Sequence, residues 1–163
     1  MQSDRILLIP IDIDIIDSLL ESDDAFKRKY GYINDGGEYL NPSPEYLHKV
    51  RDEIINHPEV YPLAVDYLII VKDIKTVIGS IDFKYLPVDG VSEIGYGMTP
   101  TYEGHGYMSE AVVLMLEYGK QNGIKTVVAD TLLDNVKSQN VLKRAGFKKD
   151  RIDQNKLWFI KNL

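Results

Sequence analysis

The strongest constraint in this chain is a change of period near its middle. Three short apolar segments, 67–71, 77–84 and 92–98, follow one another with turn residues between them. Asp73, Ile74 and Lys75 fill the first gap, and Pro87, Val88, Asp89 and Gly90 the second. Strands joined this closely form an antiparallel meander. After Met98 the period moves from 2 to 3.6. Met108, Ala111, Val112, Met115 and Tyr118 form the inward set, Glu110, Glu117 and Gln121 the outward one, and Gly123 follows. That spacing predicts a helix over 108–122 with a glycine stop. The β-branched run 126–132 reads as an interior strand buried on both faces. A second amphipathic helix is predicted over 135–145, with Gly146 at its C-terminal side. Two last strands, 147–151 and 157–161, flank a turn near 153–155.

The N-terminal half is less regular. Residues 5–10 are apolar and closed by Pro10, which predicts an edge strand. Asp12 is a plausible N-cap for a helix with Ile13, Ile16 and Leu20 on one face. Gly36, Gly37, Pro42 and Pro44 make 31–44 a loop. Residues 44–56 restart a helix on Leu47, Val50 and Ile54, ended by His57-Pro58. The order is β–α–α–β–β–β–loop–α–β–α–β–β, an α+β pattern and not a regular βαβ alternation. With no repeat or linker, residues 1–163 read as a single domain.

Composition removes several function classes. Cysteine is absent, which excludes disulfides, a thiol nucleophile and Cys-ligated metal. His48, His57 and His105 have no metal-site spacing, so no metal is expected. The net charge of −6 argues against a nucleic-acid surface and leans weakly towards cationic substrates. No apolar run approaches the roughly 20 residues of a membrane span. The opening MQSDRILLIP lacks a signal-peptide pattern, so the chain reads as soluble and cytoplasmic.

Two segments carry chemistry. In 95–111 a strand runs into a loop with Gly104 and Gly106 and then into a helix. Glycines at such a junction let successive N–H groups face one concavity, and the helix N-terminus adds about half a positive charge. That suits a pyrophosphate, although a plain helix entry reads the same way. The loop is neither a nucleotide P-loop nor a dinucleotide fingerprint, whose third glycine would fall at Ser109. In 134–147, Asp134 or Asn135 is a candidate N-cap, Gly146 a C-terminal cap and Phe147 a core residue.

Taken together and in this order, the two segments resemble the GNAT superfamily of acyl-CoA-dependent N-acetyltransferases. Thr101, Gly104 and Gly106 are similar to its pyrophosphate motif, in which Gln or Arg precedes the glycines. Asn135, Ser138, Val141, Leu142, Gly146 and Phe147 are similar to its second signature. The opening 5–10 and the run 92–96 resemble the branch that contains the ribosomal-protein N-terminal acetyltransferases. The resemblance implies a mixed, mostly antiparallel sheet of about six to seven strands flanked by about four helices. It implies a splay between the fourth and fifth strands, 92–98 and 126–132, to admit acetyl-CoA as co-substrate. It leaves room for a homodimer.

The resemblance also implies roles. Acetyl-CoA would lie along Met98 and Thr99, on Glu103, Gly104, His105, Gly106, Tyr107, Met108 and Ser109, and against Asn135. The acceptor would be a primary amine, on a small molecule or a peptide N-terminus. Direct attack on the thioester needs a base, an oxyanion donor and an acid for the leaving thiolate. Glu93 is the candidate base, on the strand face of Gly95 and Gly97. Ser138 is the candidate acid, because Leu142 stands where many relatives carry a tyrosine. The backbone N–H of Met98 is the candidate oxyanion or pantetheine donor. Thr101 and Glu103 depart from the family pattern, the latter by placing an acid beside the phosphates. Tyr30, Tyr32 and Tyr39 are candidates for an amine pocket. A non-catalytic acyl-CoA-binding module is the rival reading, and a nucleotide-binding domain a third.

Overall fold

A computed structural model describes residues 1–35 and 43–163. Its elements are β1 (Ile6–Pro10), α1 (Ile13–Glu21), α2 (Asp23–Tyr30), β2 (Ile33–Asn34), α3 (Pro44–Asn56), β3 (Tyr67–Val71), β4 (Thr76–Phe83) and β5 (Val91–Met98). They continue as α4 (Tyr107–Gln121), β6 (Thr126–Leu132), α5 (Val136–Arg144), β7 (Lys148–Asp153) and β8 (Lys156–Asn162). The sheet order is β1-β3-β4-β5-β6-β8-β7, with the short β2 added parallel to β4. β1 lies at an edge and β3-β4-β5 is an antiparallel meander, as the sequence predicts.

The two elements beyond the predicted set are α2 and β2. α2 is capped by Ser22, which accepts from the Ala25 N–H, and ends on Gly31 at φ 75°. It buries only Ala25 and Phe26, so an apolar stripe is nearly missing and charge does the local work. Asp23 and Asp24 open it and Lys27, Arg28 and Lys29 close it, matching the helix dipole. β2 is two residues long and exists through its pairing with Thr76 and Val77. The loop residues Gly36, Gly37 and Pro42 lie outside the described residues.

One prediction is corrected. β6 is interior, between β5 and β8, but it is not buried on both faces. Val127, Ala129 and Thr131 are buried, while Thr126, Val128 and Asp130 are only partly covered. The β-branched run reflects strand propensity more than two-sided burial.

Alternation sorts the two faces of the sheet. Phe83 packs on Gly119 of α4, where an added Cβ would lie 2.7 Å from the ring, and Tyr67 meets Tyr118 edge-on. α4 therefore covers the face that holds Tyr67, Phe83, Ile94 and Tyr96, with α5 beside it. The opposite face carries Asp66, Asp82, Glu93 and Asp130, and α3 reaches it through the Tyr46 hydroxyl, which donates to Asp66 at 2.8 Å. Among the described residues, no helix is long and apolar enough to cross a membrane.

Candidate active site

The site begins where two strands part. β5 and β6 run parallel and pair only over Val91–Thr126, Ser92–Val127 and Glu93–Val128. Beyond Glu93 they diverge, which is the splay expected between 92–98 and 126–132. On its other edge β5 stays bonded to β4 to the end, with Lys84 N–H on the Glu93 carbonyl and Thr99 N–H on the Ile78 carbonyl. Antiparallel ladders alternate bonded and non-bonded pairs. Counting from those two bonds, the N–H groups of Tyr96 and Met98 turn away from β4 and into the gap. The Met98 N–H thus has the direction the sequence assigns it.

A cleft of about 360 Å³ fills the opening. Its lining includes Met98, Glu103, Gly104, Gly106, Met108, Ser109, Asn135 and Ser138 from the sequence candidates. Tyr96, Lys137, Asn140 and Arg144 also line it. Gly104 and Gly106 hold φ of 80° and 85°, a left-handed turn that glycine enters without strain. The first α4 bond runs from Glu110 N–H to the Gly106 carbonyl at 3.1 Å. The N–H groups of Tyr107, Met108 and Ser109 have no carbonyl a turn behind them, so the helix presents open donors. The Ser109 hydroxyl is buried there with no hydrogen-bond partner among the described residues. A buried polar atom left over beside a helix N-terminus fits an anionic ligand group.

Other candidates sit differently. His105 and Tyr107 face away from the cleft lining: their rings stack at 5.7 Å, and Arg5 lies over Tyr107 at 4.9 Å. Arg5 also donates to the His105 carbonyl and to Glu110, bracing the loop from behind. Thr99 is buried, its N–H is used by Ile78 and its hydroxyl donates to Asp35. Glu103 does line the cleft, but it is ion-paired with Lys137 from α5. The acid beside the glycines is thereby balanced across the cleft mouth. Asn135 is the N-cap of α5, its Oδ1 accepting from the Ser138 N–H at 3.0 Å, and Gly146 follows the helix at φ 85°.

The structure separates the two catalytic candidates. Ser138 lies in the cleft, and the Tyr96 hydroxyl is 2.9 Å from its Oγ. Burial pushes the Tyr96 hydroxyl up to about 12, against its bond to Ser138, so it stays protonated at neutral pH. Leu142 is fully buried, so no acid comes from that position. The sequence reasoning missed Tyr96. Alternation from Glu93 already puts it on the Ile94 and Met98 face, but nothing local says that it meets Ser138.

Glu93 is on the opposite face. It is ion-paired with Lys84 through Oε1 and lies beside Asp130. Asp130 also meets Lys84 at 3.3 Å and Lys156 at 2.6 Å. Burial alone would raise Asp130, but Lys156, Glu93 and Lys84 hold it below the usual carboxylate range. Lys84 is raised because those acids outweigh its desolvation. Of the tyrosines, Tyr30 packs on Phe26 at 5.2 Å, Tyr32 is partly buried against the core, and Tyr39 lies outside the described residues.

The profile of the acetyltransferase (GNAT) domain matches residues 5–148. An uncharacterized N-acetyltransferase of Bacillus subtilis, YnaD, is 32% identical over 88 residues, which are 53% of this chain and 52% of that protein. The matched stretch thus spans about half the length of that relative. The ribosomal-protein-S5-alanine acetyltransferase of Vibrio fischeri superposes with a TM-score of 0.72 at 16% identity, over 99% of this chain and 95% of that one. RimL, a ribosomal L7/L12 α-N-protein acetyltransferase solved in complex with coenzyme A, gives 0.71 at 22% identity, over 99% and 96%.

Proposed function

Because the chain belongs to the acetyltransferase (GNAT) domain family, we propose that it moves the acetyl group of acetyl-CoA to a primary amine. The observation that carries this is the gap between β5 and β6, with the Met98 N–H turned into it and the open N-terminus of α4 at its mouth. The pyrophosphate would rest on the N–H groups of Gly104, Gly106, Tyr107 and Met108 and on the Ser109 hydroxyl. Lys137 and Arg144 supply positive charge to the same cleft. Coenzyme A in the RimL complex supports the choice of co-substrate.

The chemistry follows from the two faces. The thioester carbonyl lies at Met98, whose N–H stabilises the oxyanion as the amine adds. The amine comes from the face of Glu93, where Gly95 and Gly97 leave room and the carboxylates draw in an ammonium. One of those carboxylates takes the amine's proton. On the cleft side, Ser138 protonates the leaving thiolate, with the Tyr96 hydroxyl hydrogen-bonded behind it. Asn135 holds α5 so that Ser138 points into the cleft.

The acceptor is a peptide N-terminus or a small amine. Ribosomal-protein acetyltransferases among the structural neighbours favour the first, and the acidic face admits both. The test is thiol release from acetyl-CoA, followed with a colorimetric thiol reagent, which a chain without cysteine leaves free of background. The panel holds simple amines, polyamines, aminoglycosides and short peptides beginning with Ser, Ala or Met. Release with one class names the acceptor type. Stabilisation by acetyl-CoA without release from any acceptor would replace this reading with a binding module.

A further inference from the structure

The acceptor face carries four carboxylates, and three of them have donors. Asp66 accepts from Tyr46. Glu93 is paired with Lys84, and Asp130 with Lys84 and Lys156. Asp82 has none: no described residue donates a hydrogen bond to it, and Asp66, Lys84 and Glu93 act on it only through their charge. It is directly across β4–β5 from Gly95, and a Cβ placed on Gly95 would be 2.7 Å from its Oδ1. Only glycine at 95 leaves that oxygen uncovered. Gly97, at the splay, is one pleat further on, about 7 Å along the strand.

We infer that Asp82, and not Glu93, takes the proton from the acceptor amine, an inference that rests on the acetyl-transfer reading above. Glu93 holds Lys84 and Asp130 in place and contributes to the field that attracts the ammonium. Its Oε1 is taken by the Lys84 ammonium, whereas neither oxygen of Asp82 has a donor among the described residues. Desolvation above all, with the charges of Asp66 and Glu93, pushes Asp82 up to about 7 against the opposing Lys84. A base with that value is half ionised at neutral pH, where general-base catalysis works best. Asp66 beside β3, Lys84 beside β4 and Glu93 on β5 set the field at Asp82, and Asp82 in turn helps to raise the Tyr46 hydroxyl of α3.

The step balances as follows. Asp82 removes one proton from the ammonium, directly or through one water, and returns it to solvent between turnovers. The freed nitrogen lone pair forms the C–N bond while the carbonyl π pair moves to oxygen at the Met98 N–H. Collapse breaks the C–S bond with its electron pair leaving on sulfur. The thiolate takes a proton from Ser138, and the nitrogen's second proton restores the balance.

The test compares Asp82→Asn, Asp82→Glu and Glu93→Gln with the parent chain. Thiol release with the best acceptor of the panel above is followed from about pH 5.5 to about 9.5, alongside the thermal shift given by acetyl-CoA. Asp82→Asn is expected to lower kcat/KM by about 10²-fold or more and to erase the rising limb near neutrality, with acetyl-CoA still raising Tm. Asp82→Glu should keep part of the rate with a displaced limb, and Glu93→Gln should keep the limb. An Asp82→Asn chain within threefold of the parent, limb intact, overturns the inference, and so does a limb lost in Glu93→Gln. Carbon-detected titration of the parent's aspartate carboxyls adds a readout without turnover: Asp82 titrating in the ordinary range also overturns it. A parent that is stabilised by acetyl-CoA but acetylates no amine overturns the acetyl-transfer reading itself.

Discussion

Gly79→Ala is the sharpest structural test of the splayed site. Gly79 pairs with Met98, the last residue of β5, next to the register shift between Ile69 and Ile70 on β3. Its φ is not in the left-handed region, so alanine is free to adopt the same backbone. Only space forbids it. A Cβ at 79 would collide with the Gly97 carbonyl oxygen and sit 2.9 Å from the Met98 Cα. Ordinary carbon contacts need about 3.5–4.0 Å, so one strand must shift by roughly an ångström. Both obstructing atoms are backbone, which cannot rotate aside. Overpacking of this kind costs about 1–3 kcal/mol, or a Tm drop of roughly 2–4 °C per kcal/mol in a chain of this size. The shift falls on Met98, so acetyl-CoA should also stabilise the variant less. Gly95→Ala is the control, because its added Cβ meets the side chains of Asp82 and Lys84, which can swing away. Thermal melts of both variants with and without acetyl-CoA read the outcome. A Gly79→Ala chain that melts with the parent and keeps its full ligand shift would refute the reasoning.

The other predictions are more local. Asp82 should be a stability liability: its folded value is raised above the unfolded one, so its contribution is complete below about pH 4 and is lost as pH rises through 7. Asp82→Asn should therefore be more stable than the parent at pH 8, by on the order of 4 kcal/mol, with the gap closing only as pH falls to about 4. Asn135→Ala removes the α5 cap and should cost about 1 kcal/mol by denaturant titration. Tyr96→Phe should leave acetyl-CoA binding in place and slow single-turnover thiol release about tenfold or more, since Ser138 loses its hydroxyl partner. Glu103→Gln frees Lys137 for the cleft, and as exposed pairs are worth about 0–1 kcal/mol, acetyl-CoA affinity measured by calorimetry should rise by about fivefold at most.

Much of the fold is legible without coordinates because its signals are local. The period change after Met98, the caps at Asp12 and Asn135, and the glycines at 104, 106 and 146 all act within a turn or two of their own position. α2 escaped because a charged helix that buries two side chains has almost no apolar stripe to read. β2 escaped because a two-residue strand is created by its neighbour and not by its own sequence.

Half of the site is legible for the same reason. A glycine loop entering a helix shows its open donors in the sequence itself, so the cleft lining from Met98 to Ser109 was foreseeable, apart from Thr99, His105 and Tyr107, which turn elsewhere. The sequence by itself determined the element order apart from α2 and β2, the cradle and the strand that carries Glu93. Only the tertiary structure decided that Tyr96 meets Ser138 across 42 residues, that Lys137 answers Glu103, and that Lys84 and Lys156 engage Glu93 and Asp130. Only it leaves Asp82 bare against Gly95. Such pairings depend on strand register and on where β5 leaves β6, and those are set by packing across the whole sheet, which no short window of sequence contains.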